Sequence, residues 1–379
     1  MSDIARLLAD LVRLPSINPM GRALSGPQIF EYQVTDYLEN HFRALGVPYE
    51  RQRAAPLRDN ILARCPGDPA RAILFEVHQD TVPVDGMTID PFGGTVQNGK
   101  LYGRGACDIK GGMAAMLTAF ARLFRERPSG AATLILACAV DEEHTGTGVR
   151  KLVDSGVRAD MAVVCEPTSL RIVRAHKGVV RWRVETPGRS YHSSRPDLGV
   201  NAIYRMGRLL GVIESYAQQL SESTSDPDLG PPTLSVGRIE GGSSVNSVPG
   251  SCHIDIDRRL VPGETPEAAC AHFRDAVTSA PRIDFPVDCG DPWTSGPPLG
   301  SKGAEDLIAR LGRAIDSVRG SHEVVAVPYC TDAGIIAGAG IPAVVFGPGD
   351  IACAHTVDEW VSLEEVDAAS QIMFRFVCG

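Results

Sequence analysis

Four uninterrupted apolar runs constrain this chain more than any other feature: AILFEV at 72–77, TLILACAV at 133–140, MAVVC at 161–165 and PAVVF at 342–346. Short runs of this kind, bounded by turn residues, suit strands buried on both faces, as in a mostly parallel sheet covered by helices. A covering helix is legible as well. KGGMAAMLTAFARLF, beginning at Lys110, places Met113, Met116, Leu117, Phe120, Leu123 and Phe124 on one face at helical spacing. The expected fold class is α/β.

A different pattern occupies 178–290, where apolar Val180, Trp182 and Val184 alternate with Arg181, Arg183 and Glu185, and Cys252, Ile254 and Ile256 alternate with His253, Asp255 and Asp257. Strands that alternate in this way have one wet face. The order expected is strand 179–186, helix 200–220, strands 233–239 and 251–259, helix 265–279 and strand 282–288. That βαββαβ order is ferredoxin-like. The Pro/Gly-rich PWTSGPPLG follows, then another helix and the last buried run, so the small domain reads as an insertion. The expected division is a discontinuous domain of 1–177 with 291–379, interrupted by 178–290.

Charge and cysteine usage exclude several classes of function. Among 379 residues, 37 Lys and Arg stand against 46 Asp and Glu, a formal net charge of −9 that offers no footprint for nucleic acid or an anionic membrane. The ten cysteines form no C-x-x-C pair, which suits a reducing cytoplasm. Near the N-terminus Ile4, Leu7, Leu8, Leu11 and Val12 recur at helical spacing, so this stretch is expected to be an amphipathic helix and not a signal peptide. No apolar run reaches the length of a membrane span. A soluble cytoplasmic protein is expected. G-x-x-x-x-G-K at 94–100 is followed by Leu101 where a phosphate-binding loop needs Ser or Thr, and Asn98-Gly99 reads as a turn. Nor is there an H-E-x-x-H, a deaminase signature or a G-x-S-x-G elbow.

The chemistry lies where the buried runs end. AILFEV runs into His78-Gln79-Asp80, TLILACAV into Asp141-Glu142-Glu143, and MAVVC into Glu166. In open α/β sheets the carboxyl ends of the strands line the ligand crevice. Asp108, just before the Met113 helix, and His355, after a GPGD turn, are placed to join the same cluster. Carboxylates crowded into a partly dry crevice repel one another unless cations hold them ionised. Imidazole nitrogen with carboxylate oxygen is zinc-like ligation, and an Asp shared between two ions is a dinuclear hydrolase arrangement.

These residues resemble the dinuclear zinc amidohydrolases and exopeptidases that include acetylornithine deacetylase, succinyl-diaminopimelate desuccinylase, aminoacylases and glutamate carboxypeptidases. HQDTVP, GRGACDIKGG, DEEHTGTG, EPT, the HSS at 192–194, GGSSVNSVPG, DRRLVPG and AHTVDEW occur in family order over nearly the whole chain. The resemblance implies a zinc-peptidase-like catalytic domain and an inserted lid that carries a homodimer interface. It implies two Zn²⁺ per subunit, with Co²⁺ a possible substitute. Asp108 would bridge the two ions, with His78 and Glu166 on the first and Glu143 and His355 on the second. Glu142 would be the general base, Asp80 would accept the other ring N–H of His78, and the bond after Asp108 would be cis. In the lid, His192 would reach a carbonyl or oxyanion of the partner subunit's substrate. Asn246 and Arg259 would bind the substrate carboxylate, Arg259 being favoured over Arg258 by the D-x-R…L-x-P spacing.

The expected function is amide hydrolysis of an N-acyl-L-amino acid. EPTSLRIVRAHKG, GVNAI and GPGDIACAHTVDEW resemble the acetylornithine deacetylases, which would place the chain in arginine biosynthesis. A desuccinylase and a dipeptidase or carboxypeptidase are the rivals within the family. A catalytically silent amino-acid-binding or scaffold protein is the rival from outside it. Cys107, Cys165 and Cys353 neighbour the presumed ligands, but small buried packing is the commoner use of a free thiol.

Overall fold

The computed structural model describes residues 2–223 and 225–379. They fall into two compact units, Met1–Ala175 with Leu299–Ala326 and Thr331–Gly379, and His176–Pro298 with Val327–Cys330.

The first unit is built on an eight-stranded sheet in the order Tyr49–Ala55, Arg58–Cys65, Ala132–Ala139, Asp68–His78, Met161–Val164, Ala343–Val345, Ile172–His176, Val324–Val327. Its centre is parallel: Asp68–His78 pairs in parallel with Ala132–Ala139 and with Met161–Val164, which pairs in parallel with Ala343–Val345. These are the four apolar runs. Every residue of Ala132–Ala139 and Met161–Val164 is buried, as strands covered on both faces must be. Antiparallel strands flank this centre, Arg58–Cys65 on one side and Ile172–His176 on the other.

Alternation along the strands assigns the two faces. Ile73, Phe75 and Val77 share one hydrophobic cluster with Leu8, Leu38, Phe42, Met116, Phe120, Leu311 and Phe376 from the helices Asp3–Val12, Tyr32–Leu45, Gly111–Glu126, Glu305–Arg319 and Leu363–Cys378. Phe75 stacks on Phe376 at 6.4 Å between ring centroids, and Phe42 meets Phe120 edge-on at 5.9 Å. Burying each such ring stabilises by about 1.5–3 kcal/mol. The helical stripe expected around Met113 is buried in this cluster, with Phe124 partly exposed at its rim. Asn98 and Gly99, with φ of 51° and 75°, turn a hairpin between Thr95–Gln97 and Lys100–Tyr102. Trp360–Ser362 adds a third strand to it.

In the second unit, Gly178–Pro187, Ala202–Ser221, Thr233–Gly241, Ser251–Leu260 and Pro266–Thr278 alternate strand, helix, strand, strand, helix as expected. The sheet order, Thr233–Gly241, Ser251–Leu260, Gly178–Pro187, Asp288–Cys289, is that of a ferredoxin-like fold. Trp182 anchors the core, edge-on to Phe273 at 5.1 Å. On the wet face, the register partners Arg183 and Asp255 pair at 2.8 Å and Arg181 and Asp257 at 2.7 Å.

The fourth strand departs from the 282–288 expected. Only Asp288–Cys289 pairs there, and Thr294–Gly296 then resumes pairing with Gly178–Pro187. Pro281, Pro286 and Pro292 lack the N–H a ladder needs, which shortens this edge and carries it into the stretch that the sequence suggested was linker. The second unit accordingly runs to Pro298 and takes in Val327–Cys330, beyond the 178–290 expected. Among the described residues, no helix is long and apolar enough to cross a membrane.

Candidate metal centre

Parallel pairing sets three strand ends side by side, with His78 opposite Ala139 and Glu76 opposite Val164. The chain beyond those ends carries the acids Asp141, Glu142, Glu143 and Glu166. Two loops complete the cluster. Asp108 lies in the short Ala106–Lys110 turn ahead of the Gly111–Glu126 helix, and its bond to Ile109 is cis. His355 follows the Ile351–Cys353 turn with φ of 60°.

Asp108 faces both histidines. Its Oδ1 is 3.1 Å from His78 Nε2 and its Oδ2 is 3.3 Å from His355 Nε2. His78 Nε2 also lies 3.9 Å from Glu166 Oε1, and His355 Nε2 lies 3.2 Å from Glu143 Oε1. Two groups have ligand atoms that all lie within 4.8 Å of one another: His78, Glu142 and Glu166, and Asp108, Glu143 and His355. Glu142, expected to act as a base, therefore sits among the residues around His78.

The electrostatics show why this cluster would favour cations. Burial, reinforced by neighbouring carboxylates, pushes Glu142 and Glu166 well above the usual carboxylate range and raises Glu143. Burial opposes charge on the histidines too, yet hydrogen bonds to Asp108 and other acids hold His78 well above the histidine range and bring His355 up to about 11. Asp108, against its burial, is held well below its usual value by both imidazoles. A divalent cation among these groups would leave the acids ionised and the imidazoles neutral. Imidazole nitrogen and carboxylate oxygen in two triplets, the first largely buried and the second open at His355, fit a pair of borderline divalent ions.

Asp80 is buried and held down to about 2, its burial outweighed by His78, Arg58 and Asn18. His78 Nδ1 lies 3.0 Å from the main-chain carbonyl of Asp80 and 3.6 Å from its carboxylate. The carboxylate accepts the main-chain N–H groups of Glu142 and Glu143, each at 3.1 Å. The carboxylate therefore grips the acidic corner, while the ring nitrogen of His78 expected to meet it lies against the main-chain carbonyl of the same residue.

His192, Asn246 and Arg259 lie in the second unit. The first two come together: Ser193 N–H donates to the carbonyl of Asn246 at 3.0 Å, and His192 bridges to Ser247. Both side chains are exposed. Arg259 is half-buried and forks onto Asp257 at 2.7 and 3.2 Å, whereas Arg258 is buried and donates to Glu264 at 2.6 Å. Burial pushes the thiols of Cys107 and Cys165 far up, and Cys107 Sγ donates to the carbonyl of Asp350.

Sequence reasoning missed several residues here. Glu359 accepts the N–H of Cys107 at 2.9 Å and of Asp108 at 3.0 Å, and pairs with buried Arg104 at 2.6 Å. It stood in AHTVDEW without a role. Glu76 and Asp332 are buried, and each leaves one carboxylate oxygen without a hydrogen-bond partner. Burial brings Glu76 up to about 8 and puts Asp332 well above its usual value. An acid inside an apolar run was the signal for Glu76. Asn18, Glu31 and Arg58 had none.

The profile described as Peptidase family M20/M25/M40 matches residues 74–378. The acetylornithine deacetylase of Myxococcus xanthus is 34% identical over 372 residues, covering 91% of this chain and 92% of that protein. Among solved structures, a metallo-carboxypeptidase of the M20 family from Sulfolobus solfataricus superposes with a TM-score of 0.82 at 19% identity, covering 100% of this chain and 99% of that one. A Bacillus subtilis protein described as a dinuclear metal-binding peptidase of the M20 family gives a TM-score of 0.69 at 17% identity, with 99% and 96% covered. With a profile match over most of its length and a relative aligned nearly end to end, the chain belongs to peptidase family M20/M25/M40 and is a metal-dependent amidohydrolase.

Proposed function

We propose that this chain is a zinc-dependent deacylase of N-acyl-L-amino acids, with N-acetylornithine as its substrate. The observation that carries the reading is the 34% identity, over nearly the full length of both chains, to a protein named acetylornithine deacetylase. The paired donor triplets support the metal requirement.

In this reading His78, Glu166 and Asp108 would hold one Zn²⁺, and Asp108, Glu143 and His355 would hold the other, with Co²⁺ a possible substitute. When bound, the ions supply Lewis-acid polarisation of the amide carbonyl and acidify water. Glu142 takes a proton from water as its oxygen bonds to the carbonyl carbon. Glu142 then delivers that proton to the amide nitrogen as the C–N bond breaks, which leaves the amine and acetic acid, whose remaining proton passes to the amine or to solvent. Asp80 keeps the ring of His78 and the main chain of Glu142 in place. His192 steadies the oxyanion, while Asn246 and Arg259 bind the substrate carboxylate.

The reading extends to the first unit as the catalytic domain and the second unit as a lid through which two copies pair, His192 serving the partner's substrate. A place in the cytoplasm and in arginine biosynthesis completes it, and the ten free cysteines suit that compartment.

The test is amine release by the zinc-loaded protein from a panel of N-acetyl, N-succinyl and dipeptide substrates, with Glu142→Ala as control. Fastest hydrolysis of N-acetylornithine is expected. A preference for succinylated amines or dipeptides would replace the substrate assignment, and silence across the panel would replace the enzyme by a binding protein.

A further inference from the structure

Arg58 opens the Arg58–Cys65 strand and is buried. Its guanidinium is shared between carboxylates brought from distant parts of the chain. Nε donates to Glu31 Oε2 at 2.9 Å, Nη2 donates to Glu31 Oε1, and Nη1 donates to Asp141 Oδ1 at 2.6 Å. The Phe30 ring covers the group, with its centroid 5.1 Å away. Asp80 Oδ2 stands 4.0 Å from Nη2.

Asn18 closes the circuit. Its Nδ2 donates to Asp80 Oδ2 at 2.8 Å and to Asp141 Oδ1 at 2.9 Å. The other oxygen of Asp141 accepts the hydroxyls of Thr145 and Thr147. Asp141 itself has φ of 68°, a left-handed conformation that an Asp adopts in tight corners when its side chain is held. Two of the three acids tied to this network control the same three residues: Asp141 is the first of the corner, and Asp80 grips the main chain of the next two. Without the cation, Glu31, Asp80 and Asp141 would be buried close together with like charge. A lysine would restore a positive point charge but not the planar fork that spans two carboxylates at once.

We infer that Arg58, together with Asn18, is a positioning residue that aims Glu142 and Glu143 through Asp141 and Asp80. The inference rests on the proposed roles of those two glutamates. Arg58 touches neither of them in the hydrogen bonds described, so its effect is on aim and not on proton transfer.

The test uses the full chain with Arg58→Lys and, separately, Asn18→Ala. For each variant, kcat and KM for N-acetylornithine, Zn²⁺ affinity by competition with a chromophoric chelator, and Tm are measured. The expected result is kcat lowered by roughly 10- to 100-fold, with one of the two Zn²⁺ ions weakened by a similar factor. KM should stay within about twofold, because the interaction lost bears on the reacting groups and not on uniform substrate binding. A folded variant with wild-type kcat and wild-type Zn²⁺ affinity overturns the inference, whatever its Tm, because a purely structural arginine would move only Tm. If Arg58→Lys does not fold, Asn18→Ala decides by the same criteria. Should the wild type hydrolyse nothing in the panel, the proposed function fails while the Zn²⁺ competition still decides: weakened binding sustains the positioning role and unchanged binding removes it.

Discussion

Glu359 accepts the main-chain N–H of Asp108 at 3.0 Å across 251 residues of sequence. The same carboxylate holds the guanidinium of Arg104 at 2.6 Å, and both side chains are buried. Glu359→Gln should therefore destabilise the protein by about 3 kcal/mol or more, since it leaves a buried cation without its counter-charge. Denaturant titration checks this, and an unchanged midpoint would mean that Arg104 finds another partner.

Glu142→Gln keeps the shape of the side chain but cannot accept a proton. Turnover should fall by about 10²- to 10⁴-fold, while the zinc content per chain stays at the wild-type value. Metal analysis beside steady-state kinetics separates the two effects. Loss of zinc together with activity would make Glu142 a ligand, as its position within the His78 group allows.

Gly112 sits where a Cβ would run into Cys165 Sγ and come within 3.2 Å of Ile109 Cδ1. Both neighbours are fully buried and cannot give way cheaply. Gly112→Ala should cost about 1–3 kcal/mol through overpacking. Combining it with Cys165→Gly should recover part of that loss, giving a coupling of about 1 kcal/mol in a double-mutant cycle. Strict additivity would show that the strain is relieved elsewhere.

His176 is buried, and that burial lowers its pKa to about 4, with Nδ1 2.9 Å from the carbonyl of Lys177. The unfolded chain binds a proton near pH 6.5 and the folded one does not, so this contribution is full above pH 6.5 and is lost as pH falls towards 4. Its size is about 3 kcal/mol. His176→Gln should flatten the acid limb of the stability curve relative to wild type over that window. Parallel limbs in the two proteins would contradict a neutral buried imidazole.

Much of the fold was legible because burial on both faces leaves an unmistakable trace in the strands Asp68–His78 and Ala132–Ala139, and because Trp182 and its neighbours alternate cleanly. The flanking strand Tyr49–Ala55 was missed: with one exposed face and the composition YERQRAA, it has no apolar periodicity to read. At the centre, the strand ends announced His78, Glu142, Glu143 and Glu166, since acids directly after an apolar run are conspicuous. The network behind them was not legible. Asn18, Glu31 and Arg58 lie far from the strand ends in sequence, and the contacts that unite them are tertiary.

The candidate metal-binding groups are strung along the chain at 78, 108, 142–143, 166 and 355, with the whole second unit lying between Glu166 and His355. His355 is the last of them in chain order and follows the whole second unit. The segment before the second unit carries His78, Glu142 and Glu166 together, but the Asp108, Glu143 and His355 triplet needs the loop that comes after that unit. Any form of the polypeptide truncated ahead of His355 therefore lacks the second triplet.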